Sequence, residues 1–109
     1  MIVVRISVKE EKIVRVEAKG HAGFAKHGKD IVCSAVSAII QTALIGLINF
    51  SSCKVSYEKN DENGYLRFIV PEPLTETEGI RQQTILKTML LGLQDIERGY
   101  KAYLKTEVK

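Results

Sequence analysis

The chain opens on strict alternation: Ile2, Val4, Ile6 and Val8 fall on one side of an extended backbone, and Val3, Arg5 and Ser7 on the other. A period of two predicts a strand with one buried face. Residues 9–12 are polar and predict a turn. From Ile13 to Lys19 a second strand is expected, with Val14, Val16 and Ala18 on one face and Arg15 and Glu17 on the other. The two strands predict a hairpin. Residues 20–29 then hold Gly20, Gly23 and Gly28, which predicts a loop free to adopt unusual backbone angles.

The next pattern is different in kind. Residues 31–53 carry no charge. Asp30, directly before them, can accept hydrogen bonds from the first free backbone N–H groups and predicts the N-cap of a helix over Ile31–Phe50. The run is long enough to cross a membrane. Ser34, Ser37, Gln41, Thr42 and Asn49 interrupt it, however, and its flanks fit a small soluble domain. It is therefore expected as a central core helix buried on nearly all sides, with no membrane as partner.

Val55 and Tyr57 alternate with Lys54, Ser56 and Glu58, residues 60–64 predict a turn, and Tyr65 to Val70 reads as a strand rich in aromatic and branched residues. Pro71 and Pro73 stop that strand. Thr75 or Thr77 can open a long last helix with Ile85, Met89, Leu93, Ile96, Tyr100 and Tyr103 on one stripe. The expected fold is α+β in the order ββαββα. Two antiparallel hairpins pack with a buried central helix and a long C-terminal helix, in one domain over residues 1–109.

Size and charge narrow the function. A chain of 109 residues excludes most large enzyme folds, and its apolar helices offer more surface than so short a monomer readily covers, so a homodimer is expected. The formal charge is +3, with basic residues scattered rather than striped, so direct nucleic-acid binding is not expected. Cys33 and Cys53 are too few for a disulfide framework, and the first residues lack the pattern of a secretory signal. A reducing cytoplasmic setting follows as the expectation.

The chemistry concentrates around residues 20–37. Cys33 is near the third position of the expected helix, where backbone N–H dipoles favour a thiolate, and His21, Lys26, His27 and Lys29 precede it. It is either a reactive thiol or a small buried apolar residue. His21 could reach the helix start, take the thiol proton and return it to a leaving amine, or simply bond the loop backbone. His27, between Lys26 and Gly28, reads as a solvated loop residue.

Residues 23–29 match the first seven positions of a phosphate-binding loop, but Asp30 stands where Ser or Thr should hold magnesium, and its charge repels phosphate. A zinc site from His21, His27, Cys33 and the distant Cys53 matches no common ligand spacing. Cys53 has no histidine near it in sequence and reads as a half-buried residue.

Gly20-His21-Ala22, a short glycine-containing loop, and then Asp30-Ile31-Val32-Cys33-Ser34-Ala35-Val36-Ser37 together resemble the ribosomal-processing cysteine protease family, Prp. Ser34 departs from the Ala often found there. The resemblance implies a cytosolic homodimer without metal or cofactor. Such an endopeptidase removes the N-terminal extension of a large-subunit ribosomal protein, the twenty-seventh in the standard count. It places the histidine on His21 and the nucleophile on Cys33, with Asp30 and Ser37 in support. Asp30 would cap the helix or orient the loop, and Ser37 would bond the thiolate or substrate, or only the preceding helical carbonyl. Gly20, Ala22, Gly23 and Gly28 belong to the loop expected to fold over the bound peptide. The rival expectation is a non-catalytic ribosome-assembly factor that binds the same peptide or rRNA.

Overall fold

A computed structural model describes residues 1–20, 31–51 and 54–109. Its elements are β1 (Ile2–Lys9), β2 (Lys12–Lys19), α1 (Ile31–Phe50), β3 (Ser56–Asn60), β4 (Tyr65–Ile69), α2 (Glu76–Gly99) and β5 (Leu104–Val108). The α+β class and the ββαββα order hold, and a fifth strand follows. The sheet runs β3-β4-β2-β1-β5. β5 lies parallel to β1 and every other pairing is antiparallel.

The core joins one face of the sheet to both helices. Ile2, Val4 and Ile6 of β1 meet Leu66 and Phe68 of β4 and Leu104 of β5, and the helices add Val36, Ile40 and Leu47 from α1 and Leu86 and Leu93 from α2. The other face is polar. One cross-strand row there reads Glu58, Arg67, Glu17, Arg5 and Glu107 over all five strands, so every carboxylate faces a guanidinium in register.

β2 departs from the expected alternation. Ser7 pairs with Arg15 and Val8 with Ile13, so Val14 is an extra residue, a bulge in β2. The bulge reverses the parity of the strand. Ile13 and Val16 are both buried and Val14 is only half-buried, which corrects the placing of Val14 on the buried face. β4 ends before it can pair with Ile13, and Gln83 of α2 replaces it. Its amide accepts from Ile13 N at 2.7 Å and donates to Ile13 O at 3.0 Å.

α2 begins at Thr75, whose hydroxyl accepts from Glu78 N at 3.1 Å, while the Glu78 carboxylate accepts from Leu74 N at 3.1 Å. Tyr100 and Tyr103 do not extend its stripe. The helix stops at Gly99, Tyr100 is its C-cap, and Tyr103 lies in the turn that carries the chain to β5. Pairing β5 with β1 buries Leu104 completely, which requires the chain to leave the helix here.

α1 has the expected bounds, but its burial is one-sided. Val32, Val36, Ile40, Ala43, Leu44 and Leu47 are buried, whereas Ile31, Ile45, Ile48 and Phe50 are at least half exposed. The helix is the core on one side and an apolar surface on the other.

Candidate active site

Cys33 is the third residue of α1, so it sits within the first turn, where backbone N–H groups have no partner inside the helix. The side chain is half-buried, packed against the core, and opens on a cleft between α1 and the end of the sheet. These backbone donors favour an anionic sulfur.

Ser37 follows one helical turn later and lines the same cleft. Its Oγ accepts a hydrogen bond from Gln41 Nε2, and Gln41 Oε1 accepts from Lys59 Nζ of β3 at 3.0 Å. Lys59 also pairs with Asp61 at 3.4 Å. The cleft measures about 120 Å³. Its floor is apolar, formed by Ile2, Val36, Ile40 and Leu66, and its rim carries Lys19, Lys59, Asp61 and Tyr65. An apolar floor with a polar rim suits an extended peptide that buries a side chain and keeps its backbone at the edge.

Tyr65 ties the rim to the polar face of the sheet. Its hydroxyl donates to Glu17 Oε2 at 3.0 Å, and Arg15 Nη2 donates to the same oxygen at 3.0 Å. Burial pushes the Glu17 carboxyl up, but the Tyr65 hydrogen bond and the charge and hydrogen bond of Arg15 outweigh it, and the net shift is downward. Tyr65 is held above the usual phenol range, by burial first and by Glu17 second.

Gly20 closes the described part of the cleft. Its φ is +96°, and its N–H donates to Gly64 O at 2.9 Å, which locks the end of β2 to the turn before β4. Of the residues singled out in the sequence, Cys33, Ser37 and Gly20 thus share one cleft. His21, Ala22, Gly23, His27, Gly28, Asp30 and Cys53 lie outside the described residues. Ser34 is exposed on the helix surface.

Gln41, Lys59 and Tyr65 were not singled out in the sequence. Gln41 had a signal, because it is one turn beyond Ser37 on the same helix face. Lys59 had none: its place in the cleft depends on the register of β3 with β4, where Lys59 faces Leu66.

A family model described as cysteine protease Prp matches residues 1–105. The chain is similar to the ribosomal processing cysteine protease Prp of Bacillus subtilis, 33% identical over 88% of this chain and 86% of that one. The protein of the same name from Staphylococcus aureus is 32% identical over the full length of both. A crystal structure of an essential ribosomal processing protease Prp from S. aureus, with a covalently linked product peptide, superposes with a TM-score of 0.88 over all of both chains at 32% identity. Its complex with a substrate peptide gives 0.83 at 31% identity, again over all of both chains.

Proposed function

This chain belongs to the cysteine protease Prp family, and from that membership we propose that it is an endopeptidase acting in ribosome maturation, with Cys33 as nucleophile and His21 as its proton partner. The substrate is the N-terminal extension of a large-subunit ribosomal protein, the twenty-seventh in the standard count. The observation that carries the reading is Cys33 in the first turn of α1, opening on a cleft with an apolar floor and polar rim. The S. aureus relative, which superposes over the whole fold, holds a substrate peptide in one structure and a covalently linked product peptide in another.

The chemistry balances with the two side chains, backbone N–H groups and one water. The Cys33 thiolate adds to the scissile carbonyl carbon, and N–H groups at the helix start receive the oxyanion. The C–N bond breaks as His21, protonated by the thiol, gives its proton to the leaving amine. Water then cleaves the thioester, which releases the new carboxyl end and restores the thiol.

Cleavage of a ribosomal protein carrying such an extension, followed by mass spectrometry, tests the reading. Wild type should cut once, and Cys33→Ala should be inactive while keeping its fold. A Cys33→Ala variant that still supports ribosome assembly without cutting would favour the non-catalytic binding factor instead. Cys53→Ala should stay within a few-fold of wild type, and its loss of activity with an intact fold would point to a two-thiol role.

The working form we propose is a cytoplasmic homodimer joined through the outer face of the two helices. A groove of about 620 Å³ runs between α1 and α2, lined by Ala38, Ile39, Gly46, Phe50, Ile85 and Thr88. Thr84 and Thr88 spend their hydroxyls on the carbonyls one turn back, at 2.7 Å each, so they turn methyl groups to the surface. On the same two helices Ile45 is 59% exposed and Leu91 66%. So broad an uncharged strip fits a second copy of itself.

A further inference from the structure

The hydrogen bonds from Lys59 through Gln41 to Ser37 have only one possible direction. An ammonium group donates and cannot accept. Lys59 therefore fixes the Gln41 amide with its oxygen toward Nζ, at 3.0 Å, and its NH₂ toward Ser37. Ser37 Oγ must accept that bond. Its single hydroxyl hydrogen is left for another acceptor, and Cys33 stands one helical turn away on the same cleft.

We propose that Lys59 and Gln41 are positioning residues that hold the Ser37 hydroxyl as a hydrogen-bond donor to the Cys33 thiolate. The inference rests on Cys33 as nucleophile and extends it with two residues outside the quoted family motif. A donor aimed at the sulfur favours its charged form, and bonds that all run the same way polarise one another. The direction also makes the device sensitive to a neutral change far from the sulfur. Losing Lys59 frees the amide to turn over, present its oxygen to Ser37, and draw the hydroxyl hydrogen away from Cys33.

The competing explanation is plain charge, since Lys59 is a cation on the cleft. Among the described residues, the other titratable groups lining the cleft beside Cys33 are Lys19 of β2, Asp61 after β3 and Tyr65 of β4. A double-mutant cycle separates the two. A charge acting through space persists whatever stands at position 41, whereas a relay acts only through Gln41.

The rate of Cys33 alkylation by iodoacetamide is measured against pH, with the adduct located on Cys33 by tandem mass spectrometry. The set is wild type, Lys59→Met, Lys59→Arg, Gln41→Leu and the Lys59→Met/Gln41→Leu double variant. Each of Lys59→Met and Gln41→Leu should raise the alkylation midpoint by about half a pH unit. Each should also lower kcat about threefold with little change in KM, the sign of an interaction made in the reacting state. The double variant should match Gln41→Leu, and Lys59→Arg should restore the wild-type midpoint. Additive shifts in the double variant would overturn the relay in favour of charge. An unmoved midpoint in Gln41→Leu would overturn it too, and place the Ser37 hydrogen on a helical carbonyl. Alkylation needs no peptide cleavage, so the relay is judged even if the proteolytic reading fails.

Discussion

The carbonyl oxygen of Met1 lies 2.6 Å from the point where a Cβ on Gly20 would stand. No L side chain fits there, and the φ of +96° is one that L residues rarely adopt. The neighbouring oxygen belongs to backbone that enters β1, so it cannot swing aside as a flexible side chain would.

Gly20→Ala is therefore expected to cost at least about 2 kcal/mol, from left-handed strain and the clash together. That lowers Tm by roughly 8 °C or more in a domain of this size. Gly99→Ala is the contrast, since nothing lies within 4 Å of its Cβ position, and it should be neutral or slightly stabilising. Thermal denaturation of both variants at one protein concentration checks the pair. Equal Tm values would contradict the role given to Gly20.

Glu17 predicts a pH dependence. Its folded carboxyl is held below its ordinary value by Tyr65 and Arg15 against the opposing effect of burial. A lowered folded value means the unfolded state binds the proton more readily, so the stabilisation is present above about pH 4.3. It is lost as the pH falls through the folded value. Glu17→Gln should be less stable than wild type at neutral pH by about 1–2 kcal/mol, and the gap should close in acid. Urea unfolding at several pH values reads this directly, and two parallel curves would exclude it.

Much of this molecule is written locally, and the parts that are not depend on contacts between distant residues. The start of α1 is legible in Asp30 and the charge-free run after it, and a threonine start for α2 in Thr75 and Thr77, of which the bond from Glu78 N selects Thr75. Cys33 and Ser37 on one helix face need only the helical repeat. The bulge at Val14 was hidden because a period-two pattern cannot show an inserted residue, and the backbone of Ile13 beside it is paired by the distant Gln83. β5 was passed over although Leu104, Thr106 and Val108 alternate with Lys105 and Glu107, because its partner β1 lies at the other end of the chain. Lys59 joined the cleft only once the β3 register was known.

The β1–β2 turn carries a prediction of the opposite sign. It has two residues, Glu10 at φ 52° and Glu11 at φ 67°, both left-handed, as a type I′ turn between right-twisted strands requires. Glutamate pays for that conformation where asparagine and glycine adopt it readily. Glu10→Asn with Glu11→Gly should stabilise the protein by about 1–2 kcal/mol. Activity should be unchanged, since neither residue lines the Cys33 cleft. Denaturant midpoints measure the first expectation and peptide cleavage the second. A lower midpoint would mean that the glutamate side chains hold the turn by contacts of their own.

The helix face supplies the last prediction. Ile45 stands 59% exposed on α1, and Thr88 of α2 lines the groove with its hydroxyl already bonded back to Thr84 O. A charge placed at either position would have to be desolvated at a dimer interface without a partner, yet it would meet only water on a monomer. Ile45→Glu and Thr88→Lys should therefore separate the proposed dimer while leaving the fold of each chain intact, because neither change reaches the buried side of its helix. Light scattering at micromolar concentration should give wild type about twice 12.2 kDa and both variants the single-chain mass. Circular dichroism should give all three the same helix content. A monomeric wild type would remove the dimer, and variants that stay dimeric would move its interface away from this groove.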